Sequence, residues 1–446
     1  MDQDEFINLL AELIKAAKKS GADNADAVLF STASLTHSHR LGKTEGIERA
    51  ESRDLGLRVL IGKRQAVAST SNLGSEALDR LVDQAVTMAR NAPEDPWCGI
   101  AEAAEIAGDF PDLDIADAIE PSPRSLADLA VIAEDSARAV KGVTNSEGAE
   151  ASWSRTKIAL AASNGFAGTY GVTRHGIAAS VLAGEGTAMQ RDDDFSSAVF
   201  AGDLDPADEI GRRAGERAIA RLNPRKAETG QVPVIFDNRV SGSLLRAFAG
   251  AVSGPSIARG TSFLKDCMGQ QVFASQITIV DDPRRPRGLR SKPFDGEGVA
   301  TARRALINEG RLESWILDCA SARQLSLATT GNASRGTSGP PAPSPTNLFM
   351  EPGDISAQAM IKDIGRGFLV TELMGMGVNP VTGDYSRGAA GLWIEGGEIA
   401  YPVSEVTVAG NLRDMYRNLT AADDLVFRTG TDAPSLRIDG MTVAGK

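Results

Sequence analysis

The sequence predicts an α+β protein with an N-terminal α/β portion, made of small sheets with flanking helices, and a β-rich C-terminal portion. Two observations carry this fold class. Amphipathic helical stretches alternate with strand-like stretches up to residue 224, whereas short strand-like stretches between glycine-rich turns dominate from residue 225 onward. The 446 residues are enough for two or three domains. We therefore expect domains at residues 1–224 and 225–446, and the first could be subdivided near residues 91–124.

The helices of the first portion are predicted from apolar residues that recur at helical spacing. In the first helix Phe6, Leu10 and Leu13 fall on one face, and Gly21 ends the helix. Pro206 suits the first turn of the last helix, where its missing amide hydrogen costs no hydrogen bond. The predicted helices span residues 4–20, 75–90, 125–141 and 206–222.

The strands of the first portion are predicted from alternation of apolar and polar residues. Residues 25–40 alternate clearly, and two shorter runs flank a hairpin turn at Gly62-Lys63-Arg64. The strands around that turn are predicted at residues 55–61 and 65–71, and weaker alternation at residues 143–183 predicts a second small layer. Proline, aspartate and alanine fill the stretch between them, which predicts a long connection at residues 91–124.

One amphipathic helix stands out in the second portion. Leu244 and Phe248 belong to an apolar stripe, Asn238 can cap the first turn, and Gly254-Pro255 stops the helix. Around it, strands are predicted at residues 232–236, 276–281, 310–317, 367–373 and 391–403, and residues 329–354 predict one long loop. No internal repeat is evident in the sequence.

The charge balance excludes several classes of partner. The net charge is −12 at pH 7, so the chain lacks the basic character that binding to nucleic acid or to an anionic membrane requires. No apolar run approaches the length of a membrane-spanning helix, and the acidic N-terminus does not resemble a signal peptide. The three cysteines are too scattered for a disulfide framework or a zinc motif. We expect a cytoplasmic protein.

Neither a metal site nor a catalytic residue is predicted from residue types and spacing. His37 and His39 would point to one face of a strand, but His175 is the only other histidine and a zinc site needs three protein ligands. We interpret the pair as surface residues of an edge strand. The acidic runs at residues 192–194 and 281–282 are interpreted as solvated loops. No Gly-x-Ser-x-Gly stretch follows a clear strand, so the sequence predicts no catalytic serine.

Several stretches of the second portion resemble the TldD/PmbA family of metalloprotease-related proteins. They are Arg259-Gly260-Thr261-Ser262 after the amphipathic helix, Ser291-Lys292-Pro293-Phe294-Asp295-Gly296-Glu297-Gly298, and Gly383-Asp384-Tyr385-Ser386-Arg387-Gly388-Ala389-Ala390-Gly391. In order and spacing they are similar to the PmbA branch, which is also called TldE.

The resemblance also indicates what the helix lacks. In the TldD branch it carries His-Glu-x-x-x-His, in which two histidines hold zinc and the glutamate serves as general base. Anchored on Arg259, these positions fall at Leu245, Arg246 and Gly250, and none of the three can fill its role. The region that supplies a cysteine ligand in TldD has no cysteine between residues 386 and 392. The resemblance therefore implies no metal and no cofactor in this chain.

The resemblance further implies a strongly curved antiparallel sheet in the C-terminal portion and a two-subunit assembly. The partner would be a TldD-like zinc subunit, or a second copy of this chain, and the substrate an unfolded or leader peptide. This chain would line the peptide channel. The candidate channel residues are Arg259, Thr261, Asn347, Tyr385, Ser386 and Arg387.

Three alternatives remain open. One is an independent hydrolase that uses groups other than zinc. A second is a scaffold or regulatory protein without catalytic effect. The third is an indirect modulator of DNA gyrase, since direct binding to DNA is unfavourable for a chain of this charge.

Overall fold

Six strands of the N-terminal portion form a single antiparallel sheet in a computed structural model that describes residues 3–445. The strands are β1 (Asn24–Arg40), β2 (Lys43–Ile61), β3 (Arg64–Thr70), β4 (Val143–Ala162), β5 (Ala167–Ala183) and β6 (Gln190–Ala198), in the order β3-β2-β1-β4-β5-β6. β1 and β4 pair from Asp26 opposite Ala162 to His39 opposite Ala149. The predicted second layer at residues 143–183 is therefore wrong, because these strands continue the first sheet.

Four helices cover one face of this sheet, close to the predicted bounds. They are α1 (Gln3–Lys19), α2 (Ser75–Asn91), α3 (Pro123–Ala139) and α4 (Ala207–Ala220). Because side chains alternate along a strand, Ala27 and Leu29 of β1 pack under the helices while Val28 and Phe30 point to the opposite face. That second face turns toward the C-terminal portion, where Phe294 packs against it.

The N-terminal portion is an internal structural repeat, although no repeat is evident in its sequence. Each half consists of a helix, a three-stranded meander and a second helix, and the two halves meet where β1 pairs with β4. Thr32 and Thr156 lie opposite each other near the middle of this pairing, with their hydroxyl oxygens 3.0 Å apart. The repeat is carried by the order of elements and not by residue identity, which is why the sequence did not reveal it.

The connection predicted at residues 91–124 is confirmed between α2 and α3, where residues 92–122 contain neither helix nor strand. It is tied to both portions of the chain. Ala107 N donates to Gly298 O at 2.9 Å, and Thr173 N of β5 donates to Ile115 O at 3.0 Å. The connection thus fastens the C-terminal portion against the open side of the sheet.

A closed barrel forms the centre of the C-terminal portion and confirms the curved sheet. Its strands are β7 (Gly230–Phe236), β14 (Arg366–Met374), β15 (Asp384–Glu395), β16 (Glu398–Asn411) and β19 (Leu436–Ala444), and β19 pairs back onto β16. Only β7 and β14 pair in parallel within this ring. The strand predicted at residues 391–403 is wrong, because Gly396 and Gly397 have positive φ and turn the chain between β15 and β16.

A smaller sheet and several short elements complete the C-terminal portion. The further strands are β8 (Ile279–Asp281), β9 (Arg304–Asn308), β10 (Arg311–Leu312), β11 (Ala333–Ser334), β12 (Ala342–Pro343), β13 (Leu348–Met350), β17 (Leu419–Ala421) and β18 (Thr431–Asp432). The helices are α5 (Asn238–Ala251), α6 (Gly254–Ala258), α7 (Cys319–Leu325), α8 (Ala357–Lys362) and α9 (Leu412–Arg417). The predicted loop at residues 329–354 is irregular apart from β11, β12 and β13. Within residues 3–445, no helix is both long and apolar enough to span a bilayer.

Candidate functional site

Helix α5, which follows the barrel strand β7, is the element that the resemblance singles out. Asp237 caps it by accepting from Arg239 N at 2.9 Å, so the predicted cap at Asn238 is off by one residue. The helix ends at Ala251, and Pro255 lies in the first turn of α6. Gly254 therefore starts the next helix and does not adopt the left-handed conformation that a helix-ending glycine often takes.

The three positions of α5 that match the zinc motif do not fit a zinc ion. The Leu245 side chain is 1% exposed and packs in the main apolar cluster of the C-terminal portion. Gly250 offers no side chain, and a Cβ built there would meet no atom within 4 Å. Arg246 is a cation on the exposed side of the helix. A divalent metal at this place would find no ligand at these three positions and would have a guanidinium beside it.

Histidines elsewhere in the structure differ from their predicted setting. His37 and His39 are 2% and 7% exposed on β1, a central strand, so the prediction of surface residues on an edge strand is wrong. Their rings do share one face, with centroids 6.4 Å apart. His175 lies on β5 beside Asp117, with Nε2 and Oδ2 3.3 Å apart. Among residues 3–445, no group of three or more His, Cys, Asp or Glu side chains could hold a metal ion.

A pocket of about 370 Å³ lies where the N-terminal sheet meets the C-terminal portion, and we call it the junction pocket. Its apolar wall comes from the open face of the sheet and includes Phe30, Tyr170 and Val172. Its polar wall comes from the C-terminal portion and includes Lys292 and Arg335. A mostly apolar cavity with a few convergent polar groups is the usual form of a small ligand site.

Two buried ionisable groups, Lys292 and Asp295, lie on the polar side of the junction pocket. The ammonium of Lys292 donates to Ala333 O at 2.9 Å, and burial lowers its pKa although Asp295 and Asp281 oppose the shift. Burial raises the pKa of Asp295, whose carboxylate accepts from the backbone amides of Glu297 and Ala333. Burial therefore shifts both Lys292 and Asp295 toward their neutral forms, which distinguishes this wall from an ordinary surface.

A buried ion cluster adjoins this wall and links the two portions. Asp26 on β1 accepts from Arg58 Nε at 2.9 Å and Nη2 at 2.5 Å, and its other oxygen accepts from Arg335 Nη1. Glu297 lies 3.9 Å from the same Arg58. Burial, followed by the charge of Asp295, raises the pKa of Glu297 to about 7. Asp26, Arg58 and Arg335 are all shielded from water. This ion cluster therefore fixes the position of the N-terminal sheet relative to the loop before β12.

Three of the five aspartates in the acidic runs, Asp192, Asp194 and Asp281, are buried, so the interpretation as solvated loops is wrong for them. Asp192 and Asp194 lie in β6, and Asp194 accepts from Arg213 Nε at 2.5 Å and Arg217 Nη1 at 2.7 Å. Asp281 lies in β8 and accepts from the Thr346 amide at 2.6 Å. Arginines and backbone amides from distant elements satisfy these carboxylates, and no local sequence pattern reports such partners.

Four of the six predicted channel residues reach the surface or lie near it. Arg259, Thr261 and Ser386 are exposed, and Arg387 is half-buried. Their segments meet at one end of the barrel, because Phe263 N donates to Pro380 O at 2.9 Å. These four remain candidates for contact with a ligand.

The other two predicted residues, Tyr385 and Asn347, are each 2% exposed. Tyr385 packs edge-on against Phe236, and burial raises its pKa to about 12 although the Arg387 charge opposes the rise. The Asn347 amide nitrogen donates to Asp282 O at 2.7 Å and Ser291 Oγ at 2.8 Å, and its oxygen accepts from Arg290 N at 2.9 Å. These contacts give both residues structural roles, and neither side chain is open to a passing peptide.

Sequence reasoning missed the polar residues of the junction pocket and of the ion cluster beside it. Lys292, Asp295 and Glu297 belong to the family-type stretch at residues 291–298, but membership of that stretch did not predict their burial. Asp26 and Arg335 carried no signal, because they are 309 positions apart in the sequence. Only a pairing prediction between β1 and the loop before β12 could have found them.

Comparisons with known proteins agree with the family resemblance found in the sequence. Three adjoining parts of the chain match the PmbA/TldA metallopeptidase domain 1 (residues 25–89), central domain (residues 108–222) and C-terminal domain (residues 229–445). The chain is 38% identical to Metalloprotease PmbA of Escherichia coli O157:H7, over 99% of this chain and 96% of that protein. It is 34% identical to a Metalloprotease PmbA homolog of Haemophilus influenzae, over 99% and 97%.

Two crystal structures share the fold over the whole chain. A proposed modulator of DNA gyrase from Bacteroides thetaiotaomicron has a TM-score of 0.91 with 26% identity, and each chain is covered completely. TldE from Thermococcus kodakarensis has a TM-score of 0.88 with 22% identity, covering 98% of this chain and 100% of that one. The second likeness, at this identity, concerns the fold alone.

Proposed function

The chain belongs to the PmbA/TldD metallopeptidase family, in its PmbA (TldE) branch, and on that premise we propose that it is the zinc-free subunit of a TldD/TldE-type peptidase. One observation carries the proposal. At the three positions of α5 where the TldD branch has its zinc motif, this chain has a core leucine, an arginine and a glycine. The hydrolytic chemistry then belongs to a TldD-like partner that holds zinc.

The role of this chain is to complete the chamber and to line the peptide channel. The long strand β2 supports such a role, because β3 pairs only with residues 55–61 and leaves the edge at residues 43–54 unpaired. An unpaired edge offers main-chain hydrogen bonds to any extended strand, independent of its sequence. An unfolded peptide, a leader peptide or a strand of the partner subunit would suit it equally. Arg259, Thr261, Ser386 and Arg387 are the proposed contacts at the barrel end.

The test is reconstitution of the pair from separately purified chains. The full-length chain is mixed with a TldD-like zinc subunit, and complex formation is followed by size exclusion together with hydrolysis of an unstructured peptide. We expect no hydrolysis by this chain alone, and a complex whose hydrolysis exceeds that of the zinc subunit alone. Full activity of the zinc subunit by itself, or a self-associated chain that never binds it, would contradict the proposal.

An independent hydrolase is the second candidate, and the junction pocket is the observation that favours it. A lysine with a lowered pKa beside a cavity is a common arrangement for proton transfer. This function predicts peptide or ester hydrolysis by the chain alone that persists in a metal chelator and disappears in Lys292→Met. A purely scaffolding role predicts complex formation without a change in turnover. An indirect effect on gyrase predicts no DNA binding at any salt concentration.

A further inference from the structure

Four arginines from four separate elements face one another beside the junction pocket, and we call them the arginine cluster. They are Arg174 on β5, Arg246 on α5, Arg290 in the loop between β8 and β9, and Arg387 on β15. Burial and then the charges of Arg290 and Arg387 lower the pKa of Arg246. Burial and the charge of Arg290 likewise lower the pKa of Arg174. Arg174 lies next to Arg290, because its Nη2 donates to Leu289 O at 3.2 Å. Arg246 is close enough to Arg290 and Arg387 for their charges to repel it.

The arginine cluster has no counter-ion in the part of the chain that the structure describes. None of its guanidinium groups lies within 4.0 Å of a carboxylate of residues 3–445. The carboxylate that acts on Arg246 is that of Asp432, which accepts from the amides of Arg428, Thr429 and Gly430 and from the Thr429 hydroxyl. Asp432 is not within ion-pair distance of any of the four guanidinium groups, and its single negative charge offsets at most one of their four positive charges.

Several neighbouring arginines, by contrast, do have carboxylate partners. Arg239 pairs with Asp192 at 3.1 Å, and Arg428 and Arg217 pair with Asp194 at 3.3 Å and 2.7 Å. A chain with a net charge of −12 has carboxylates to spare, yet none is placed against these four groups. Arg174, Arg246 and Arg290 are exposed and Arg387 is half-buried, so the cluster is open to a ligand. Like charges without ion-pair partners are typical of a site that binds one.

The surrounding residues hold the cluster in place. The Arg290 amide donates to the buried Asn347, and a Cβ at Gly430 would lie 2.7 Å from Arg290 Cγ, so glycine there makes room for the arginine stem. The buried Nε of Arg387 has no hydrogen-bond acceptor within residues 3–445. The backbone of Arg290 is thus held in place, and Arg387 Nε is a donor that no acceptor within residues 3–445 uses.

The arginine cluster adjoins the mouth of the junction pocket through Arg290. Arg290 belongs to the pocket wall, and Arg174 follows Tyr170 and Val172 on the same face of β5. Guanidinium groups bind carboxylates through paired, parallel hydrogen bonds, which a lysine ammonium cannot reproduce. An anionic group held at the mouth would leave the apolar wall free for a neighbouring hydrocarbon side chain.

From this geometry we propose that Arg174, Arg246, Arg290 and Arg387 bind a carboxylate of the peptide, either its C-terminal carboxylate or an acidic side chain. The inference rests on the proposed peptide-binding function and assigns it a substrate class. Arg246 is then a binding residue at the helix position where the zinc-binding branch has its glutamate.

The test measures binding of labelled unstructured hexapeptides to the full-length chain, alone and with a zinc subunit, by fluorescence polarisation. One peptide has a free C-terminal carboxylate, the second is its C-terminal amide, and the third is the amide with an internal glutamate. We expect the free carboxylate to bind about ten-fold more tightly than the amide, as for charge-assisted hydrogen bonds. Recovery of affinity by the internal glutamate would identify a side chain as an equally good source.

Variants decide whether the cluster is responsible. Arg246→Gln and Arg290→Gln should each abolish the preference for a carboxylate. Arg80→Gln is the matched control, because Arg80 is exposed on α2 and Glu76 is its one ion-pair partner among residues 3–445. Equal affinity for acid and amide in the parent chain, a preference that survives both variants, or no binding of any peptide to the chain and its complex would each overturn the proposal.

The two proposals can fail separately. A pair that hydrolyses acid and amide peptides equally well would overturn the carboxylate site and leave the subunit role intact. Carboxylate-dependent binding by a chain that never associates with a zinc subunit would overturn the subunit role and leave the carboxylate site intact.

Discussion

Replacing Asp26 by asparagine tests how the two portions of the chain are held together. The Asp26 and Arg58 side chains are each 4% exposed and Arg335 is 1% exposed, so the cluster has little access to water. Asp26→Asn keeps the shape but removes the only carboxylate within 4.0 Å of Arg335 among residues 3–445. Two further nitrogens of Arg335 are already buried without hydrogen-bond partners.

The expected loss in the free energy of unfolding depends on which carboxylate partners Arg58 and Arg335 retain in Asp26→Asn. Removing one partner of a buried ion pair costs roughly 3–5 kcal/mol, because an uncompensated charge remains inside. Arg58 retains Glu297 at 3.9 Å, so the full penalty falls on Arg335 alone. We therefore expect a loss near the lower end, about 3 kcal/mol in the free energy of unfolding. Asp26→Asn/Arg335→Met should recover part of it, since the stranded charge is then absent.

The assay is urea unfolding at pH 7, followed by tryptophan fluorescence and by far-ultraviolet circular dichroism. Asp54→Asn is the matched control, being the same substitution at an exposed position of β2 in the same sheet. Burial raises the pKa of Asp26, but the charges of Arg335 and Arg58 outweigh it and hold that pKa below its usual value. The contribution is thus present above the unfolded pKa and is lost as the pH falls through the folded one. A loss of stability no larger than that of Asp54→Asn would refute the reasoning.

Three further predictions concern single positions. The pKa of Glu297 is raised to about 7, so its contribution to stability is present below its unfolded pKa and is lost as the pH rises through 7. Glu297→Gln should therefore reduce the pH dependence of the melting temperature between pH 5 and 8, and an unchanged dependence would contradict this. Gly211→Ala should lower the free energy of unfolding by about 1–3 kcal/mol, because the new Cβ would lie 2.0 Å from a carbonyl oxygen of α3. Gly202→Ala is the control: its Cβ would meet no atom within 4 Å, so the thermal melt should not change. Asn347→Ala should lower the free energy of unfolding by about 1–3 kcal/mol, because buried hydrogen bonds are lost. It should also weaken the preference for carboxylate peptides, because the Arg290 amide loses its acceptor; lower stability with an unchanged preference would show that Asn347 supports only the fold.

Local elements of this protein could be predicted from sequence, whereas their assembly could not. The helical periodicity of α1 to α4 and the alternation of β1 are properties of neighbouring residues, and the structure confirms them. The pairing of β1 with β4 joins residues more than a hundred positions apart, so nothing local indicates that two expected layers form one sheet. Lys43 begins β2 twelve residues before the predicted start, because its outer half is polar on both faces and resembles a loop.

The candidate site divides in the same way. The motif after α5 identified Leu245, Arg246 and Gly250, since helix position and residue type are both written in the sequence. Buried charges were missed because lysine, arginine and aspartate usually indicate surface, and their partners come from distant elements. His37 was misplaced for a related reason, because sequence alternation does not tell a central strand from an edge strand.

The central claim is that zinc is held by a partner and not by this chain. Elemental analysis of the purified full-length protein, alone and in complex with a TldD-like subunit, tests it most directly. The account predicts that the chain alone retains no stoichiometric zinc, and that the complex contains about one zinc per pair. One zinc per chain in the isolated protein, accompanied by peptide hydrolysis that a chelator abolishes, would contradict it.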